Sequence, residues 1–256
     1  MQLMVETSGG ILVRDIQSAS PVRDDLPHGD AAEVATRDAA AVWGMPDFVY
    51  RPARLAVGSG SREIGDGTLI VGDRGVVIQV KGREGETGDD DRERRWLTKH
   101  VASGLRQAHG TIRNLRRTTV QMTNGRGRTF PVDGRGIRWF AVVVVEHPWV
   151  PDDFTPPVEQ QRNPSLVVVR RDWEFLFEQL KSTFAVVQYI ERVAGEPSEL
   201  GAEVLRYYQL AQADEAATPG EIDARILGSG GRQFSAPLLP MLAAATGDDA
   251  RPHTLV

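Results

Sequence analysis

Between Leu97 and Leu115 apolar residues return in steps of four and three (Leu97, Val101, Leu105, Ala108, Ile112, Leu115), which predicts one long helix with a narrow buried stripe. An earlier helix is expected over 31–43 in DAAEVATRDAAAVWG, with Asp30 as N-cap, Glu33 closing a capping box and Gly44 as the stop. Strand patterns at 67–71 and 76–82 flank the tight turn GDRG. After the long helix, TTVQMTNGRGRTFPVDG predicts a hairpin around Asn124-Gly125. IRWFAVVVVEH, whose apolar run does not alternate, predicts a central buried strand, and PSLVVVRR a further one. Asp172 is expected to cap a helix in WEFLFEQLKS, with helices continuing to about residue 213. The chain thus divides into an arm (1–29), a core (30–170), a helical extension (171–213) and a weakly patterned tail (214–256). Helices alternating with and following a mixed sheet describe an α/β or α+β core.

The first strand pair raises a chemical question, because VVIQV carries a glutamine and is followed by a lysine. Residues two apart in a strand share a face, so Gln79 and Lys81 point the same way. With Gly72–Gly75 as the turn, the simplest register pairs Val71 with Val76, Leu69 with Ile78, Thr68 with Gln79 and Asp66 with Lys81. One side of the hairpin is then apolar, and the other gathers Asp66, Thr68, Gln79 and Lys81. A carboxylate, an amide and an ammonium in one neighbourhood suit metal-assisted attack of water on a phosphodiester. The Asp66 carboxylate, the Gln79 oxygen and the Val80 carbonyl are hard ligands for Mg²⁺ or Mn²⁺. Lys81 would orient the water or neutralise the phosphate. The plainer alternative is a salt bridge at the rim of a sheet.

Charge adds to this picture. The chain of 256 residues has a formal net charge of -5, yet Arg92 to Arg138 holds twelve Lys/Arg against Glu93 and Asp133, so that segment is +10 and the remainder -15. At 100° per residue, Arg95, Lys99, Arg106, Arg113 and Arg117 fall together opposite the apolar stripe of the long helix. A stripe of this kind fits a polyanion partner, as well as a plain solvated surface. Cysteine is absent, which excludes disulfides, thiolate chemistry and cysteine-based zinc sites. The five histidines have no metal-ligand spacing, GSGS and GSGG lack the lysine of a phosphate loop, and no G-x-S-x-G occurs. No leader pattern or spanning apolar run is present, so a cytoplasmic protein without membrane contact is expected.

An acidic residue, a hairpin and an E/Q-x-K ending on the second strand resemble the PD-(D/E)xK nuclease superfamily. REIGDGTLIVGDRGVVIQVKGRE looks especially like the nuclease-related (NERD) domain and Mrr-type restriction enzymes. The resemblance covers roughly residues 30 to 145. It implies a restriction-endonuclease-like αβββαβ core and a Mg²⁺-dependent nuclease acting on DNA in restriction, repair or defence. Under it the metal-binding aspartate falls on Asp66, the second ligand on Gln79, the catalytic lysine on Lys81 and a first-helix glutamate on Glu33, which the capping box also explains. The literal Pro46-Asp47 pair is the competing position for the aspartate, though it lies outside the hairpin. Arg83, two beyond Lys81, is a further candidate for a phosphate. The neutral Gln79 weakens the ion site, which leaves open a non-catalytic module that binds nucleic acid or a protein partner. The C-terminal helices offer a surface for a second copy or a partner protein.

Overall fold

Seven strands form one mixed sheet in the computed structural model, which describes residues 2–7, 10–51, 54–57, 60–63, 65–158 and 162–216. In chain order the elements are β1 (Gln2–Thr7), β2 (Gly10–Asp15), α1 (His28–Trp43), β3 (Val49–Arg51), β4 (Arg54–Val57), β5 (Gly60–Glu63), β6 (Gly67–Val71) and β7 (Arg74–Gly82). There follow α2 (Asp90–Leu115), β8 (Val120–Asn124), β9 (Thr129–Val132), β10 (Arg138–Glu146), β11 (Ser165–Val169), α3 (Arg170–Leu180), α4 (Thr183–Val193) and α5 (Glu203–Ala216). The sheet runs β11-β10-β7-β6-β3-β8-β9, with β10 parallel to both neighbours and every other pair antiparallel. The fold is α/β, and no described helix is long and apolar enough to cross a membrane. The chain forms two units, residues 19–203 and residues 1–18 with 204–256. The sheet of seven, with α1 to α4, belongs to the first; the second contains the β1–β2 hairpin. The arm expected before residue 30 therefore includes an antiparallel hairpin, and the tail beyond residue 216 lies outside the described residues.

Helices cover the sheet on both faces. α2 lies over the face that carries Val77, Ala141, Val143 and Val145, where Leu97, Val101, Leu105, Ala108, Ile112 and Leu115 are buried as its periodicity requires. α1 covers the other face, with Ala32 beside Gly82 and the Arg37 stem beside Gly67. Trp173 of α3 donates its indole N–H to the Thr36 carbonyl at 2.9 Å, which ties α3 to α1. Helices α3 and α4 are thus part of the same unit as the sheet.

Three local expectations are corrected. The β6–β7 turn is two residues tighter than GDRG suggested: Val71 pairs with Arg74 and Gly67 with Ile78, leaving only Gly72 and Asp73 between the strands. Gly72 takes φ +60°, the positive value that a tight hairpin turn needs and that glycine accepts without steric cost. The shift of two leaves the paired residues of both strands on their expected faces, but Asp66 lies before β6, donates its N–H to the Ile78 carbonyl and does not pair with Lys81. Helix α1 starts a turn earlier than Asp30, because Pro27 enters extended (φ -53°, ψ 139°) and its carbonyl accepts the Ala31 N–H at 2.9 Å. No side chain caps it, so the Asp30–Glu33 capping box does not form. Asp172 likewise is not a cap of α3 but a buried residue of its first turn, accepting from Arg171 and from the Glu203 N–H at the start of α5.

Candidate nuclease-like site

Asp66 is held by three backbone-level contacts. Its N–H donates to the Ile78 carbonyl at 3.1 Å, its carboxylate Oδ2 accepts the Val80 N–H at 2.6 Å, and its carbonyl accepts from Arg37 Nη1 at 2.8 Å. The carboxylate is therefore pinned against the edge of β7 just before β6 begins. Within a strand the N–H and C=O of one residue project to the same edge, so the Val80 carbonyl also projects toward Asp66. Gln79, next to it, is almost fully buried; its Nε2 reaches only the Ile78 carbonyl, at 3.3 Å, and its amide oxygen accepts no hydrogen bond from the described residues. Gly65 closes this corner with φ +67°, and a Cβ there would meet Gln79 Nε2 at 3.2 Å.

Lys81 shares the face of Gln79 and lies under α2. Its Nζ donates to Gln107 Oε1 at 2.7 Å, and its Cε would stand 3.3 Å from a Cβ at Gly104. Glycine at 104 thus makes room for the lysine stem, and Gln107 aims the ammonium without neutralising it. Sequence reading missed Gln107, although its helical position, on the flank of the apolar stripe, is consistent with this contact.

Beyond Lys81 the same row turns into a buried polar knot. Glu93 is fully buried and accepts the Thr87 N–H (2.9 Å), the Thr87 hydroxyl (2.6 Å), Arg83 Nη2 (2.9 Å) and His147 Nε2 (2.8 Å). Burial alone would raise the Glu93 carboxyl, but the two Thr87 donors, Arg83 and His147 together outweigh it and hold it below its ordinary value. Burial pushes His147 below its ordinary value despite Glu93. Its Nδ1 accepts the Trp149 N–H at 3.2 Å, which leaves the ring proton on Nε2, facing Glu93. Arg83 also donates to the Gly85 carbonyl at 2.8 Å and covers one face of Trp96, so its guanidinium serves this knot; it is not the open phosphate contact expected for it. Trp96 stacks on His100 with ring centroids 4.3 Å apart. Burial, then Lys99, Lys81 and Arg83, hold His100 below its ordinary value.

The remaining sequence candidates separate clearly. Arg95, Lys99, Arg106, Arg113 and Arg117 are all exposed, and none pairs with a described acid. Arg95 to Arg113 spans roughly 27 Å along α2 at 1.5 Å per residue. The hairpin arginines, by contrast, are largely taken: Arg126 pairs with Asp47 at 2.6 Å, Arg135 with Asp133 at 2.6 Å, and Arg138 with Glu191. Asp47, committed to Arg126 and lying by the β8–β9 turn, is drawn to that hairpin. Glu33 stands 3.8 Å from Arg37 and so adjoins Asp66 through that arginine. Among the described residues no group of three or more His, Asp or Glu side chains comes together as a metal site. Comparison of the chain with protein-family models, with curated proteins and with solved structures finds no match.

Proposed function

We propose that this chain is a metal-dependent nuclease that hydrolyses phosphodiester bonds of DNA, built on a restriction-endonuclease-like core. The observation that carries the reading is the hairpin itself: Asp66 bonded to the Val80 N–H, with Gln79 and Lys81 on the same strand and on one face beneath α2. The order α1, β3, β6, β7, α2, β10, with β7 parallel to β10, supports an αβββαβ core. One carboxylate, one undonated amide oxygen and one backbone carbonyl fit a hard divalent cation that keeps several waters, so Asp66, Gln79 and Val80 would hold Mg²⁺ or Mn²⁺. Bound there, the ion supplies Lewis acidity at the scissile phosphate and a more acidic water. Lys81, its charge intact against a neutral amide, binds the phosphate oxygens and steadies the charge that develops on them. Arg95, Lys99, Arg106, Arg113 and Arg117 hold the polyanion along the exposed face of α2.

The scarcity of acids around Asp66 favours a second reading, a nuclease-like module that binds nucleic acid without cutting it. Supercoiled plasmid and single-stranded circular DNA incubated with Mg²⁺ or Mn²⁺ discriminate the two. Cleavage by the wild type that is lost in both Asp66→Asn and Lys81→Met supports the nuclease; salt-sensitive binding without any cleavage supports the module. Equal cleavage by all three proteins removes the proposed site from consideration.

A further inference from the structure

His100 is a partly buried imidazole that makes no hydrogen bond to any described residue. Its place follows from its neighbours on α2. One turn before it, Trp96 lies under the Arg83 guanidinium; one turn after it, Gly104 lies against the Lys81 stem; and Gln107, two turns on, holds Lys81 Nζ at 2.7 Å. The ring therefore stands beside the row formed by Lys81 of β7 and Arg83 just after it, on the flank of α2 that overhangs Lys81. Stacking on Trp96 at 4.3 Å and 21° fixes the plane of the imidazole while leaving its nitrogens without protein partners. Arg83 and His100 both lie against the Trp96 ring.

We propose that His100 accepts the proton of the attacking water beside Lys81, the substrate being a nucleic-acid phosphodiester. The inference rests on the nuclease reading of Asp66, Gln79 and Lys81. The charged and titratable groups around the ring are Lys81 from β7 and Arg83 just after it, Lys99 and Glu93 from α2, and His147 from the segment after β10. Glu93 is fully engaged by Arg83, Thr87 and His147, so burial first, and then the field of Lys99, Lys81 and Arg83, favours the neutral imidazole, which is free to take a proton. In the step, the water oxygen forms the new bond to phosphorus with its own electron pair and its proton passes to the imidazole. The bond from phosphorus to the leaving sugar oxygen breaks, that oxygen keeps the pair and takes a proton from solvent, and the imidazolium returns its proton to solvent. Lys81 cannot take this part while its ammonium donates to Gln107.

The test compares wild type, Lys81→Met, His100→Gln and His100→Ala in single-turnover nicking of supercoiled plasmid with Mn²⁺ from about pH 5 to about pH 9, alongside an NMR titration of the His100 ring. The proposal expects His100→Gln to cut roughly 100-fold more slowly with unchanged DNA binding, the acid limb of the wild-type profile to vanish, and added imidazole to restore part of the His100→Ala rate. It also expects the His100 ring to titrate below the ordinary imidazole value. A wild-type rate and pH profile in His100→Gln, with Lys81→Met inactive, overturns the role of His100 and leaves the nuclease reading standing. A His100 ring that titrates above the ordinary value overturns it too, whatever the variants do. A wild type that cuts nothing overturns the nuclease reading and this inference with it.

Discussion

Replacing Glu93 by glutamine keeps the shape of the side chain and removes its charge, and the four donors aimed at the carboxylate make the cost calculable. Three of them, Thr87 N, Thr87 Oγ1 and Arg83 Nη2, converge on Oε1, and the fourth, His147 Nε2, on Oε2. A glutamine can offer its oxygen to one of these groups only, so its NH₂ must face donors on the other side. His147 cannot adapt by moving its proton, since its Nδ1 already accepts from the Trp149 N–H. One buried donor left without an acceptor costs about 1–3 kcal/mol, and loss of the anion beside Arg83 takes the total toward the 3–5 kcal/mol typical of a broken buried pair. The expected loss is about 3 kcal/mol, or roughly 6–12 °C in Tm for a unit of this size. Urea unfolding followed by tryptophan fluorescence measures it as a lower midpoint with an unchanged slope. Arg94→Gln, which breaks an exposed pair with Asp90 at 2.7 Å and a contact with the Asp152 carbonyl, is the control and is expected to move the midpoint far less. A Glu93→Gln loss no larger than the control's would refute the claim that this knot anchors the end of β7 to the start of α2.

The same knot makes stability pH-dependent: Glu93 and His147 both titrate below their ordinary values, so the unfolded chain binds more protons than the folded one. Stability is then fully present above the ordinary imidazole value and falls as the pH drops through the ranges of His147 and then Glu93, which urea midpoints read along a pH series; a midpoint that rises on acidification contradicts it. Gly65→Ala puts a Cβ where φ is +67° and Gln79 Nε2 lies 3.2 Å away, and is expected to cost about 1–2 kcal/mol while reducing cleavage more than a remote variant of equal stability loss. Arg106→Ala and Arg113→Ala, at exposed cations without described acidic partners, are expected to leave folding intact and each to lower the slope of log binding constant against log salt by about 0.9 for duplex DNA; unchanged slopes would move the DNA away from α2.

Periodicity reported faithfully which side chains share a surface. The buried stripe of α2, the β8–β9 hairpin around Asn124 and the buried run of β10 all follow from it. The register of β6 and β7 did not, because a two-residue and a four-residue turn leave the alternation of faces unchanged and only the hydrogen-bond pairing tells them apart. The start of α1 was misplaced because Asp30 has the chemistry of a cap, while the backbone direction set at Pro27 decides where the helix begins. Buried polar partners were the least legible. Glu93 entered only the charge count, yet it precedes Leu97 and Val101 in steps of four and so continues the buried stripe, a sign that could have revealed it. Arg83, read as a phosphate candidate, is instead engaged by Glu93, ten residues on, a pairing that no strand or helix spacing announces. Gln79 and Lys81 share a face because strand parity alone brings them there, whereas Asp66, outside β6, reaches β7 through its bonds to the Ile78 carbonyl and the Val80 N–H.

The central claim is that Asp66, Gln79 and Val80 form a seat for a divalent cation beside Lys81. Anomalous diffraction from crystals soaked in Mn²⁺ tests it most directly. The account predicts a peak about 2.0–2.3 Å from the Asp66 carboxylate and close to the Val80 carbonyl, absent from Asp66→Asn crystals. A strong Mn²⁺ peak elsewhere in the fold with none at Asp66, or a peak that survives the Asp66→Asn substitution, would contradict it.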